Sequence, residues 1–327
     1  MNIHLTFDVE VWCNGWDALD SSFEASFERY VYGTSRHGQY ALPKTLEILN
    51  RNRLQGVFFV EPLFAARFGI EHLQAIVKLI RDAGQQVQLH IHPEWTDEIK
   101  PAIIVDHEKK RQHLTFYSLD EQISLIAFAK DLLQRAGSGP ITAFRAGSFA
   151  ANRDTFEALR RNGILVDSSL NRCYAISGPG ISRAGQVDAP FVINGITTYP
   201  VTVFKDGFGK DRPAHVAACS VGELKDAIAS AKAAGLSDFT IVSHNFEMLK
   251  PGAAVPSWVV VRRFEQLCAY LSEHRTQYPV TGYTQWVESI AADTAGNTAG
   301  NPAAAVPTAS LVSTTRRHLE QLISRVA

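Results

Sequence analysis

Strict alternation of apolar and polar residues marks two short stretches of the chain. In the first, Ile3, Leu5, Phe7 and Val9 alternate with His4, Thr6, Asp8 and Glu10. In the second, Val87, Leu89 and Ile91 alternate with Gln88, His90 and His92. Successive strand side chains point to opposite faces, so each stretch predicts a strand with one apolar and one polar face. Each polar face ends in groups that bind metals or move protons, an Asp-x-Glu and a His-x-His. Carboxylates and imidazoles are the ligand types of catalytic zinc-like sites. Any half-solvated strand also alternates, so the two pairs carry weight together rather than singly.

Elsewhere, strand-like runs alternate with helical ones. A segment rich in aromatic and acidic residues, roughly 11–40, precedes a helix near 41–53. Residues 56–61 read as a buried strand and 71–83 as a helix ending at Gly84. The His-x-His strand stops at Pro93, which cannot donate to a ladder. A long helix over 119–136 opens on a capping box formed by Ser118 and Glu121. Strand 141–145, a helix near 153–162 closed by Gly163, and strands 164–167 and 196–204 follow. Helix 221–234, strand 239–244, a helix near 257–274 and a strand near 279–284 complete the series. Repeated strand-then-helix order predicts an α/β chain with a mainly parallel sheet. Seven or eight such units predict a closed or partly closed barrel, with its site at the C-terminal strand ends. Asp8, Glu10, His90, His92, Arg145, Asp167 and His244 all fall at those ends.

The 327 residues are 46% hydrophobic and 20% charged, with a formal net charge of -1, which suits one or two ordinary globular domains. Such a balance points to no nucleic-acid partner, and no run approaches the ~18 apolar residues of a membrane span. The first strand begins almost at the initiator Met, leaving no room for a signal peptide. Cys13, Cys173, Cys219 and Cys268 are widely spaced and read as free thiols of a reducing compartment. A cytoplasmic protein is expected. Residues 291–310, rich in Ala, Thr, Gly, Asn and Pro, predict a flexible linker after a unit spanning 1–290. Beyond it, Leu319, Leu322, Ile323 and Val326 recur at helical spacing beside Arg316, Arg317 and Arg325. An amphipathic helix over 311–327 is expected, docked on the barrel or half-ordered in solution, or else making a homodimer or partner contact.

Five motifs occur in order: Thr6-Phe7-Asp8-Val9-Glu10, Leu89-His90-Ile91-His92-Pro93-Glu94-Trp95, Phe144-Arg145-Ala146-Gly147-Ser148-Phe149, Asp167-Ser168-Ser169 and Ser243-His244-Asn245-Phe246-Glu247. Together they resemble the motif series of the NodB-homology polysaccharide deacetylases (carbohydrate esterase family 4), over roughly residues 3–290. The resemblance implies a distorted (β/α) barrel with about seven parallel strands. It also implies a hydrolase that removes N- or O-acetyl groups from sugars with a divalent metal, Zn2+ first and Co2+ or Ni2+ as alternatives. By that likeness Asp8 is the general base, Glu10 the metal-binding carboxylate and His90 the first histidine ligand. The family's second histidine lies four residues further on, where this chain has Glu94. His92 then completes a Glu10–His90–His92 set, with Glu94 as the alternative ligand. Arg145 corresponds to the arginine that orients the base, His244 to the general acid and Asp167 to the carboxylate that polarises it. Trp12, Trp95 and Phe149 are candidates for the walls of a sugar subsite, whereas Glu61 and Glu247 receive no role.

The implied substrate is an acetylated sugar. The expected cytoplasmic address points to an intracellular precursor: a nucleotide sugar, a lipid-linked sugar or a surface-polysaccharide repeat of O-antigen type. Two other readings stay open. One is a metal amidohydrolase acting on a non-sugar amide; the other is a barrel that has lost catalysis and binds saccharide or a biosynthetic partner.

Overall fold

Strand Asn2–Val9 is the axis of an eight-stranded sheet in a computed structural model that describes residues 1–174, 189–283 and 305–326. It pairs in parallel with Asp238–His244 on one side and Gly56–Val60 on the other. Beyond Gly56–Val60, strands Gln86–Ile91, Ala143–Ala146, Val166–Asp167 and Ile196–Thr198 add in parallel. Phe191–Ile193, which the sequence pattern did not predict, ends that edge as an antiparallel partner of Ile196–Thr198. Seven parallel strands thus curl into a distorted (β/α) barrel with helices outside, as expected.

The alternation in Asn2–Val9 has a physical reason different from half-solvation. Both faces are buried, and the polar one turns into the barrel, where His4, Thr6, Asp8 and Glu10 are all buried. Polar groups so placed need partners within the barrel. On the outer face Phe7 stacks on Phe58 and meets the edge of Phe264 from helix Trp258–Glu273. The helices Leu42–Arg51, Ile70–Asp82, Leu119–Arg135, Arg153–Arg161 and Val221–Ala233 complete the outer layer. Ser118 and Glu121 form the expected capping box.

Two expected elements differ, and one stretch holds an element that was not expected. The strand over 196–204 breaks after Thr198, because Pro200 lacks an N–H for the ladder. Its far end, Val203–Lys205, forms a separate antiparallel ribbon with Asp211–Pro213. In 279–284, Val280 makes only an isolated bridge to Ile3, and residue 284 lies outside the described residues. The 11–40 segment, for which no element was expected, contains helix Leu19–Phe27.

The returning segment 201–216 closes the barrel without a regular ladder. Val201 N–H donates to the Leu170 carbonyl, and Thr202 N–H to that of Thr240. Further along, Val216 N–H donates to the Val242 carbonyl, while Val242 N–H donates to Ala214. The C-terminal helix Leu311–Val326 docks on this segment and on helix Val221–Ala233. Its Arg317, fully buried, pairs with Asp206 and Glu223 at 3.1 Å each. Gly207 leaves no room for a Cβ, which would run into the backbone of Leu311. The outward side chains Leu311, Val312, Leu319 and Leu322 are exposed. Residues 291–304 of the expected linker, and the side chains of Ile323, Arg325 and Val326, lie outside the described residues. No helix among the described residues is long and apolar enough to cross a membrane.

Candidate metal centre and active site

Glu10, His90 and His92 converge at the C-terminal strand ends, their ligand atoms lying within 4.8 Å of one another. His90 Nδ1 is 2.7 Å from the Arg145 carbonyl oxygen, which can only accept, so Nδ1 carries a proton and donates. In the neutral ring, Nε2 then presents a lone pair to Glu10 Oε1, 3.1 Å away. His92 repeats the arrangement, with Nδ1 3.3 Å from Glu94 Oε2 and Nε2 2.9 Å from Glu10 Oε1. Carbonyls and carboxylates behind the distal nitrogen are how metal-ligating histidines are oriented. Glu94, the alternative ligand, therefore stands behind His92 rather than in the cluster. A Cβ on Gly147 would come within 2.8 Å of the His92 ring, so the small residue in Arg145-Ala146-Gly147 makes room for it.

Two ring nitrogens and a carboxylate oxygen facing one point require positive charge there, as protons or as an ion. Burial opposes ionisation of Glu10. Even so, the His92 charge and hydrogen bonds from both imidazoles hold it well below the usual carboxylate range. Burial likewise opposes protonation of His92, and Glu10 overrides it, lifting the ring well above its ordinary value. The remaining oxygen, Glu10 Oε2, accepts from Trp12 Nε1 at 2.6 Å, and Asn245 holds the Glu10 backbone through its own side chain. One carboxylate and two oriented imidazoles fit a divalent cation with a free coordination position.

Asp8 lies one strand turn below. Arg145, fully buried, donates from Nη1 to Asp8 Oδ1 at 2.7 Å and from Nη2 to Thr6 Oγ1 and Ser168 Oγ. Nε donates to the Ser168 carbonyl, and the guanidinium lies 4.4 Å from the Phe59 ring centroid. So fixed, the guanidinium pins Oδ1 and leaves Oδ2 to the site.

His244 faces Asp8 and Glu10 from the other side, with ligand atoms within 4.8 Å of theirs. Its Nδ1 is 2.8 Å from Glu247 Oε1, an oxygen that His215 Nε2 also approaches to 2.6 Å. Ser243 Oγ donates to Glu247 Oε2. Burial would lower the His244 value, but the charge and hydrogen bond of Glu247, with the Glu10 and Asp8 charges, together outweigh it and the ring is pushed up to about 9. Desolvation would raise Glu247, which is mostly covered, yet the His215 and His244 charges hold it well below the carboxylate range. The carboxylate against His244 is therefore Glu247 and not Asp167, which corrects the pairing expected from the sequence. Asp167 instead accepts from Ser169 N–H and Ser169 Oγ, and burial pushes it up to about 6 against those hydrogen bonds. It belongs to the wall that holds Arg145 and Ala146, since Ser169 Oγ also accepts from Ala146 N–H.

Sequence reasoning missed three further groups. Glu247 has a local signal, being three residues from His244 in a tight turn. Glu61 follows Val57 and Phe59 at strand spacing, is fully buried, and is pushed up to about 8 by burial. His215 has no sequence signal, because segment 201–216 brings it across the barrel. Beside Glu10, a cavity of about 220 Å3 is lined by Trp12, Asn14, Trp16, Tyr30 and Trp95. Lys110 Nζ lies 3.5 Å from the Trp16 ring centroid. Trp12 and Trp95 thus share one wall, while Phe149 stacks obliquely against Tyr174.

No protein-family model and no curated protein matches the chain. Among solved structures, it is similar to a protein assigned as a polysaccharide deacetylase from Mycobacterium smegmatis. Identity is 18%, over 92% of this chain and 94% of that one, with a TM-score of 0.53. A 4-alpha-glucanotransferase from Thermococcus litoralis aligns at 13% identity over 88% of this chain and 40% of that one, also with a TM-score of 0.53. A family 4 carbohydrate esterase from Streptomyces lividans, in complex with acetate, aligns at 15% identity over 83% and 89%, with a TM-score of 0.40, too low to carry weight. The fold is the distorted (β/α) barrel of the polysaccharide deacetylases. Because one such barrel also serves a glucanotransferase, function has to come from the site itself.

Proposed function

We propose that the chain is a metal-dependent hydrolase that removes an acetyl group from the nitrogen, or oxygen, of a sugar. The observation that carries this is the convergence of a Glu10–His90–His92 cluster with an Arg145-pinned carboxylate and a Glu247-backed imidazole. Held by Glu10, His90 and His92, a divalent ion, Zn2+ first and Co2+ or Ni2+ as alternatives, supplies a Lewis acid for the acetyl carbonyl and an acidified water. Asp8 Oδ2 receives the proton of the attacking water while Arg145 keeps Oδ1 in place. His244, protonated at neutral pH through Glu247, donates from Nε2 to the departing amine or hydroxyl. Each proton transfer of this kind contributes about 10²–10⁴-fold. The aromatic cavity beside Glu10 supports a sugar ring as the leaving group, since flat apolar faces suit pyranose C–H surfaces.

The substrate we favour is an acetamido sugar in a surface-polysaccharide precursor, O-antigen included, met in the cytoplasm. Recovery of the native protein outside the inner membrane would overturn that address. The expected homodimer belongs to the same proposal. The exposed Leu319 and Leu322 support it, and unchanged sedimentation on their joint replacement by glutamate would remove it.

The deciding experiment measures metal content of the wild type and His90→Ala after reconstitution, then acetate release from nucleotide- and lipid-linked acetamido sugars. Near-stoichiometric metal lost in the variant, with acetate released, is the expected result. No metal in the wild type would leave a saccharide- or partner-binding barrel. Hydrolysis confined to simple cyclic amides would make it a non-sugar amidohydrolase.

A further inference from the structure

Each buried carboxylate at the strand ends has partners that account for it, with one exception. Asp8 is held by Arg145, Glu10 by His90 and His92, Asp167 by Ser169, and Glu247 by His215 and His244. Glu61 is met only by backbone N–H groups of the turn that follows it, those of Leu63, which donates to Oε1 at 2.9 Å, and Phe64. Its Oε2 is buried without any hydrogen bond, in a residue only 1% exposed. A buried polar atom left unpaired costs about 1–3 kcal/mol, and more when charged.

The sheet register places this orphan beside the metal cluster. Strand Gly56–Val60 runs between Asn2–Val9 and Gln86–Ile91, with Val60 abreast of Val9 and of Leu89. Glu61 N–H donates to the Val9 carbonyl, so the pairing continues one step further. Glu10, Glu61 and His90 therefore stand side by side on three adjacent strands. Phe59, two residues earlier, faces the barrel interior beneath Arg145, and strand alternation turns Glu61 the same way. Glu10 Oε1 and His90 Nε2 meet 3.1 Å apart across this row.

Charge completes the case. A divalent ion held by Glu10 and two neutral imidazoles keeps one positive charge in excess in a buried site, which nearby anions offset; Glu94, behind His92, reaches it only through that ring. We infer that Glu61 is a further such anion: a positioning residue in the outer shell of the bound ion that helps to balance its remaining charge. It acts from the outer shell because its oxygens are not among the ligand atoms clustered within 4.8 Å. This rests on the metal-dependent function proposed above.

The test compares wild type, Glu61→Gln and a surface control, Glu157→Gln, in the intact chain. Zn2+ affinity is measured by chelator competition, the Co2+ form by visible absorption, and the metal-free form by urea unfolding. Glu61→Gln is expected to bind Zn2+ about 10–100-fold more weakly, the range seen for outer-shell partners. Its Co2+ bands shift, and its metal-free form unfolds at the same urea concentration as the wild type or a higher one, since glutamine keeps the shape of the side chain. Wild-type affinity in Glu61→Gln, with metal bound normally by the wild type, would overturn this role and leave the proposed function intact. Weaker binding together with a less stable metal-free form would make Glu61 a structural residue and also overturn it. A wild type that binds no metal would sink both.

Discussion

Replacing Glu247 with glutamine removes the charge that keeps His244 protonated while keeping the size of the side chain. In the wild type, His244 is pushed up to about 9, with burial opposing and Glu247 dominating the upward pull. A ring with that value is about 90% protonated at pH 8. Without Glu247, burial acts with only Asp8 and Glu10 against it, and the value falls toward the ordinary ~6.5. Protonation at pH 8 then drops to a few per cent, so the acid form is depleted roughly 10- to 30-fold. The assay is kcat/KM for acetate release between pH 5 and 10, which reports the groups of the free enzyme. The alkaline limb is expected near pH 9 in the wild type and about two units lower in the variant, with a smaller loss at pH 6. Stability follows the same sign. A raised folded-state value contributes stability that is fully present below ~6.5 and is lost as pH rises through about 9. An unchanged alkaline limb in Glu247→Gln would refute Glu247 as the group that holds the proton on His244.

Arg145→Met leaves Asp8 buried without its cation, and urea unfolding should show a loss of about 3–5 kcal/mol at pH 7; a loss under ~1 kcal/mol would mean the pair is not structurally coupled. Trp12→Phe deletes the hydrogen bond to Glu10 Oε2, so Zn2+ affinity should fall by about tenfold, and an unchanged affinity would limit Trp12 to the cavity wall. Arg317→Met strands Glu223 under the C-terminal helix and leaves Asp206 with Arg212 as its remaining cation, and amide exchange across that helix should accelerate by about 10²-fold; exchange at the wild-type rate would place its anchor elsewhere.

The cluster of Glu10, His90 and His92 was legible because strand alternation alone decides which side chains share a face, and both pairs lie on regular strands. The position of Asp8 followed for the same reason. Asp167 could not be placed so simply. Its strand is only Val166–Asp167, too short to continue the alternation, and the chain turns at once into the Ser168–Ser169 bonds. The true partner of His244 sits three residues along a turn, where a strand-based reading assigns no face. Glu61 obeyed alternation but lay in an apolar strand, where a single terminal acid resembles a solvated end. His215 depends on tertiary closure around Pro200, which no local pattern encodes. The barrel itself was visible in the alternation of strands and helices, whereas its irregular seam was not.

That seam has a consequence for the order in which the protein becomes competent. Segment 201–216 carries His215 near one end and Asp206 near the other; Asp206 meets Arg212 within the segment, while its buried cation, Arg317, arrives 111 residues later. During synthesis, all the residues that touch substrate in the proposed reaction have been made by His244, yet the seam beside them still lacks Arg317. The growing chain is therefore expected to assemble its strands first and to lock the histidine–glutamate pair only when the distant helix arrives. Completion of the site is timed by a residue that never approaches the substrate.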